Sequence, residues 1–285
     1  IMGFTVLASA QMTDGILKQY LIFAFLEGDH LAHGVHVVAA VVFFRPDLKG
    51  EHQLPLAKQA LKGWQRLQPL DARLPLPLEM VALFVVLAWS VGRKEEAFAF
   101  LCIVNCYLRP EELFKARVQD LVLPIAASTA SQALSVVLQT HEFDECIVAD
   151  GKFQDLLVCL AVRVLQLPAR PQKETALRVK PQQLIDVMNL ASRMWDLSSL
   201  GSLDLYRLRH TGASFDYLSH TRTLAEVQKR GRWRAAASVR RYKKCSRRNQ
   251  HLLCSLPADV RNKACAALRH LEDVLYGRLS AVGVI

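Results

Sequence analysis

The chain has 285 residues, 52% of them hydrophobic, enough to bury a sizeable core in one large domain or two modest ones. Its longest apolar runs, Val35 to Phe44 and Val81 to Val91, fall short of the roughly 18–20 residues that cross a bilayer. They read as buried helices, and no membrane partner is expected. A formal charge of +10 and a pI near 9.4 point to an anionic partner, and nucleic acid is the commonest one for such a chain.

The chain opens at Ile1 without a leader-like segment and reads as a fragment whose true start is missing. Apolar residues three and four apart predict helices over Gln11–Leu26, Leu56–Leu67, Leu78–Trp89, Glu95–Tyr107 and Glu111–Leu121. The proline-rich stretch from Gln68 to Pro77 interrupts that pattern and places a domain boundary near residue 72. Alternation at Leu134, Val136 and Leu138, followed by the apolar run Glu145–Val148, predicts two short strands around a turn at Thr140–Asp144. Helices resume over Phe153–Leu165, Pro181–Trp195, Leu203–Ser219, Leu224–Arg230, Ala235–Cys245 and Ala258–Leu279. The seven cysteines are odd in number and lack CxxC or zinc-finger spacing, so reduced thiols in an intracellular protein are expected.

The charge is concentrated late in the chain: Lys229 to Arg248 carries ten Lys or Arg residues and no acid. Such a run is commonly a solvated basic face. Its neighbours give it more meaning, because Leu205 to Lys243 reads LYRLRHTGASFDYLSHTRTLAEVQKRGRWRAAASVRRYK. This stretch resembles the C-terminal signature of the tyrosine recombinases, an H-x-x-R-H-T segment followed by a G-H or G-x-W step and a tyrosine nine residues beyond the His or Trp. A second stretch, Tyr107-Leu108-Arg109-Pro110-Glu111-Glu112-Leu113 through Asp120, is similar to that family's first box, G-L-R-x-x-E-L-x-x-L-x-x-x-D. The resemblance covers roughly Leu56 to Lys244 and is nearest in style to eukaryotic mobile-element recombinases.

The resemblance implies a mainly α fold with a small β-sheet. Residues 1–72 would form a truncated helical, core-binding-like DNA-clamping domain, and residues 73–285 the catalytic domain. It gives Arg109 and Arg209 the roles of the two catalytic arginines, Glu112 that of a supporting acid, Trp233 the His/Trp position and Tyr242 that of the nucleophile. Such an enzyme cleaves DNA through a 3′-phosphotyrosine and rejoins it, using double-stranded DNA and further copies of itself as partners and no small-molecule substrate. In a eukaryote it would act in the nucleus.

The chemistry accounts for these residue types. Attack on a phosphodiester passes through a phosphorane with extra negative charge, which two planar guanidiniums hold through paired hydrogen bonds. Pro110 disfavours helix at the preceding residue and suits the first turn of the next helix, so Arg109 is expected at a loop-to-helix junction. The Trp233 indole N–H can donate to a phosphate oxygen. Tyr242 needs its phenolate stabilised, and Arg240, Arg241, Lys243 and Lys244 supply cations nearby. Lys229, Arg230, Arg232 and Arg234 are expected to border the DNA backbone. His210 fits the R-H-T segment in a structural role.

Two positions depart from the family pattern. Tyr206 stands where His or Lys is usual, three residues before Arg209, and is a poor base. The turn that carries the family's general-acid lysine corresponds to Gln139-Thr140-His141, and Gln139 cannot donate a proton as an acid; His141 or Lys152 would have to substitute. These departures leave open a decayed, DNA-binding remnant without catalysis. A helical protein-interaction module with an incidental basic tail would require both boxes to be accidental. By resemblance, the helix at Ala258–Leu279 docks on a neighbouring protomer; the plainer expectation is packing on its own domain.

Overall fold

The helical periodicity of the first 67 residues becomes three helices, α1 (Ala10–Leu26), α2 (Leu31–Phe44) and α3 (Pro55–Leu67). The computed structural model describes residues 9–27, 29, 31–50, 52–67, 75–125, 132–139, 144–233, 239 and 245–285. The chain divides into two compact units, Ile1–Ala72 and Arg73–Ile285.

In the first unit, α1 buries Asp14, Leu17, Leu21 and Ala24, three and four residues apart on one face. The Asp14 carboxylate accepts hydrogen bonds from the backbone N–H groups of Leu56 (2.9 Å) and Ala57 (2.8 Å), satisfying orphan donors in the first turn of α3. Trp64 of α3 presses on Gly34, where a Cβ would fall 2.8 Å from the indole Cζ3. The expectation that Val35 to Phe44 is a buried helix fails. The helix forms, but α2 buries only Leu31 and Gly34, and Phe43 and Phe44 stand exposed. Apolar on every side, it can turn only one stripe toward α1 and α3.

In the second unit, α4 (Leu78–Ser90) and α5 (Lys94–Cys106) are buried almost all round, as the run from Val81 suggested. Packed about them are α6 (Pro110–Lys115), α7 (Gln154–Arg163), α8 (Pro181–Trp195), α9 (Leu205–Leu218) and α10 (Leu224–Arg230). The predicted strand pair is present as β2 (Ser135–Gln139) and β3 (Asp144–Val148), antiparallel with Val136 opposite Ile147. Strand β1 (Leu121–Val122) adds an edge that two residues of sequence could not signal. The fold is mainly helical with one small sheet of order β1-β2-β3.

The C-terminal region differs from its expectation in two ways. A polar helix, α11 (Cys245–Ser255), has too few apolar residues to show a periodicity. The long helix predicted over Ala258–Leu279 breaks at His270 into α12 (Ala258–Arg269) and α13 (Leu271–Leu275). Both pack on their own domain: Val260, Ala264, Ala267, Leu271 and Leu275 are buried in the core built around α4. This is the plainer of the two expectations for this segment, packing on its own domain. Most of the helix predicted over Ala235–Cys245 lies outside the described residues. No helix among the described residues is long and apolar enough to cross a membrane.

Candidate active site

Helix α5 ends at Tyr107, whose backbone is left-handed (φ 50°, ψ 40°). The first box has glycine here. A tyrosine in this conformation costs roughly 1–2 kcal/mol, so its side-chain contacts must hold it. The turn lets Arg109 become the N-cap of α6 in an extended conformation (φ −69°, ψ 141°), as Pro110 requires. The Arg109 N–H donates to Glu112 Oε2 at 2.6 Å, and its guanidinium lies 3.6 Å from Glu112 Oε1 with the side chain 54% exposed.

Glu112 joins the two boxes. It accepts a hydrogen bond from Arg232 Nη2, and Arg232, like Tyr107, is left-handed (φ 53°). The adjacent Gly231 carbonyl accepts from Arg209 Nη2. Arg209 is only 3% exposed and lies with its guanidinium 4.9 Å from the centre of the Trp233 ring, while the His210 ring stacks on Trp233 at 6.0 Å and 15°. The glycine of the G-x-W step has a steric cause here: Trp233 folds back so closely that a Cβ on Gly231 would fall 1.8 Å from its Cζ3. Two arginines a hundred positions apart in the chain thus reach one cluster through Glu112, Gly231–Arg232 and Trp233.

Beneath this cluster lies a buried polar network that sequence reasoning missed. Tyr107 donates to Asp216 Oδ2 at 2.5 Å, and Arg222 Nε donates to the same oxygen at 3.0 Å. Arg222 and Arg230 both pair with Asp150, at 2.6 and 2.9 Å, and Arg230 also donates to the Asn105 carbonyl at 2.8 Å. The Arg230 guanidinium lies 5.3 Å from the Tyr107 ring centre, and that ring sits 6.3 Å from Trp233. Burial, then the neighbouring Asp216 carboxylate, push the Tyr107 phenol far above its ordinary pKa. It is a fixed hydrogen-bond donor and no nucleophile. The available signal was Tyr107 itself, a bulky residue at the glycine position of the box.

The remaining candidates fall in different places. Tyr206 is half-buried in the first turn of α9. Lys229 is exposed on α10. Arg230 and Arg232, expected along the DNA backbone, instead turn inward, their side chains 10% and 12% exposed, because Asp150 and Glu112 bind them. Arg234, Arg240, Arg241, Tyr242, Lys243, Lys244 and His141 lie outside the described residues, as does the Gln139 side chain at the end of β2. Val239, three positions before Tyr242 in the sequence, is 2% exposed and packs with Tyr107, Ala213 and Val227. Lys152 does not join the arginines. Its ammonium lies over the Phe215 ring at 5.6 Å, in a cavity with Glu79, Arg269 and Glu272 that shares no lining residue with the cleft at Arg109. Among the described residues no group of His, Cys, Asp and Glu is placed to hold a metal ion.

No family profile matches the sequence, and no curated protein is a match. The structure is similar to that of the XerH site-specific recombinase bound to difH substrate in a pre-cleavage complex. The TM-score is 0.53 at 11% identity, covering 84% of this chain and 69% of that one. XerA recombinase is also similar, with a TM-score of 0.44 at 14% identity over 94% of this chain and 92% of the other. At these identities the likeness is one of fold: this chain has the mainly helical, small-sheet fold of the tyrosine recombinases.

Proposed function

We propose that the chain is a site-specific DNA recombinase that cleaves and rejoins DNA through a 3′-phosphotyrosine formed by Tyr242. The run of contacts from Arg109 through Glu112 and Arg232 to Gly231 and Arg209, with Trp233 beside Arg209, supports this reading. Guanidiniums suit a phosphate whose charge rises during attack, and hydrogen bonds aimed at developing charge are a large source of rate enhancement. The XerH structure, bound to difH substrate, favours the same reading by fold.

In this reading the free 5′-hydroxyl reverses the attack on a second strand, and no cofactor is needed because the phosphotyrosine bond conserves the energy of the linkage. Lys229 and the cations Arg234, Arg240 and Arg241 contact backbone phosphates, while Arg230 and Arg232 hold the site together. The first unit clamps double-stranded DNA, further copies of the chain assemble on it, and the setting is a eukaryotic mobile element acting in the nucleus by integration or excision. A second reading, a DNA-binding remnant without catalysis, is favoured by Gln139 and Tyr206.

The test is a suicide substrate. Nicked duplex DNA, randomised around the nick, is mixed with the wild type and with Tyr242→Phe and run on a denaturing gel. A covalent protein–DNA band in the wild type alone is expected. Salt-dependent binding by both proteins with no band would establish the remnant instead.

A further inference from the structure

As Tyr242 displaces a strand, the departing 5′ oxygen needs a proton, and the side chain at the end of β2 is the amide of Gln139. The cleft at Arg109 offers another source. Its lining includes Arg109 at the N-cap of α6, Glu112 and Lys115 of α6, and Val137 and Leu138 of β2, the strand that Gln139 ends. Lys115 therefore shares a cleft with both Arg109 and the strand that ends in Gln139. It follows Glu112 by three residues, so the two share a helix face, and Glu112 is the carboxylate that binds Arg109. About 9 Å of helix rise separates Lys115 from Arg109, a span that two long side chains close around one phosphate. The Lys115 side chain is 80% exposed, and its ion pair with Glu111, at 3.7 Å, is open to solvent on both sides and weak. Arg117 also lines the cleft, but a guanidinium does not give up a proton in proteins, whereas an ammonium can.

We propose that Lys115 is the general acid of the cleavage step, in place of a hairpin lysine; this rests on the phosphotyrosine reading above. The Tyr242 oxygen bonds to phosphorus as its phenolic proton passes to water. The bond from phosphorus to the 5′ oxygen breaks, its electron pair stays on that oxygen, and Lys115 Nζ protonates it. The neutral amine takes the proton back when the 5′-hydroxyl attacks in rejoining.

The test uses the full chain and the randomised nicked duplexes, made with either oxygen or sulfur at the 5′-bridging position of the scissile phosphate. A thiolate leaves without protonation, so a lost acid is bypassed by sulfur. Lys115→Ala and Lys115→Arg are expected to form the covalent complex about 10²- to 10⁴-fold more slowly than wild type on the oxygen substrate, and at the wild-type rate on the sulfur substrate. Wild-type rates on oxygen for both variants would overturn the proposal, as would an equal loss on both substrates, which marks a binding role. A wild type that cleaves only the sulfur substrate has no acid at all, so Lys115 falls while Tyr242 stands. A wild type that cleaves neither removes the phosphotyrosine reading and this one with it.

Discussion

Helix α5, which leads into the first arginine box, and helix α9, which carries Arg209, meet at Gly212. An ideal Cβ on Gly212 would lie 1.8 Å from the Val104 carbonyl oxygen, 2.8 Å from its carbon and 3.0 Å from Tyr107 Cδ1. The obstructing atoms are backbone, so Gly212→Ala must part the two helices by about 1 Å or more. A gap of about 0.5–1 Å forfeits a quarter to a half of each dispersion contact across an interface. Overpacking a tight core costs about 1–3 kcal/mol, and backbone against backbone belongs at the upper end. Against this stands the roughly 0.5–1 kcal/mol that alanine gains over glycine within a helix. The net expectation is a loss of about 2 kcal/mol, read as a lower urea midpoint at unchanged slope in circular dichroism. Gly15 in α1 has nothing within 4 Å of its Cβ position, so Gly15→Ala should shift the midpoint upward. If Gly212→Ala matched or exceeded the wild type, the close helix contact would be refuted.

Four further outcomes follow from the structure. Tyr107→Phe removes a donor from the buried Asp216 carboxylate and should cost about 1–3 kcal/mol by urea unfolding, whereas a neutral result would show the bond is unimportant. Gly231→Ala drives Trp233 off its seat beside Arg209; about a 10²-fold slower covalent reaction is expected, with a shifted tryptophan emission. Lys229→Ala should flatten the slope of log affinity against log salt by about 0.9, the share of one phosphate contact, and an unchanged slope would take Lys229 off the DNA. Hydrogen bonding from Arg170, ahead of the opposing effect of burial, lowers the Glu174 pKa from its ordinary 4.5. The carboxylate thus adds stability that is complete above pH 4.5 and lost as pH falls through the lowered folded value. Glu174→Gln should narrow the stability difference between neutral and acid pH, and equal acid sensitivity in both proteins would count against it.

Much of the architecture was legible along the chain. Helix α8 begins at Pro181 and ends at Trp195 as the apolar spacing predicts, and the alternation at Val136 and Leu138 marks β2, because side-chain periods of 3.6 and 2 are written locally. The α2 error has the opposite cause. Its composition fits burial on every side, but how much of a helix is covered depends on what packs against it. The candidate site divides in the same way. Arg109, Arg209 and Trp233 were singled out by the resemblance of two short stretches to the recombinase boxes. That Arg230 and Arg232 turn inward could not, since Asp150 and Glu112, the acids that draw them in, are some 80 and 120 residues distant in the chain.

What the sequence determined by itself was the set of local elements, the two boxes and the absence of lysine at Gln139, all properties of neighbouring residues. Only the tertiary structure decided which cations face solvent, why Gly231 must lack a side chain, that Tyr107 is held by Asp216, and that Lys115 shares a cleft with Arg109. Those depend on contacts between distant segments, where the energy of a charge or a close approach is set by partners that the linear order does not reveal.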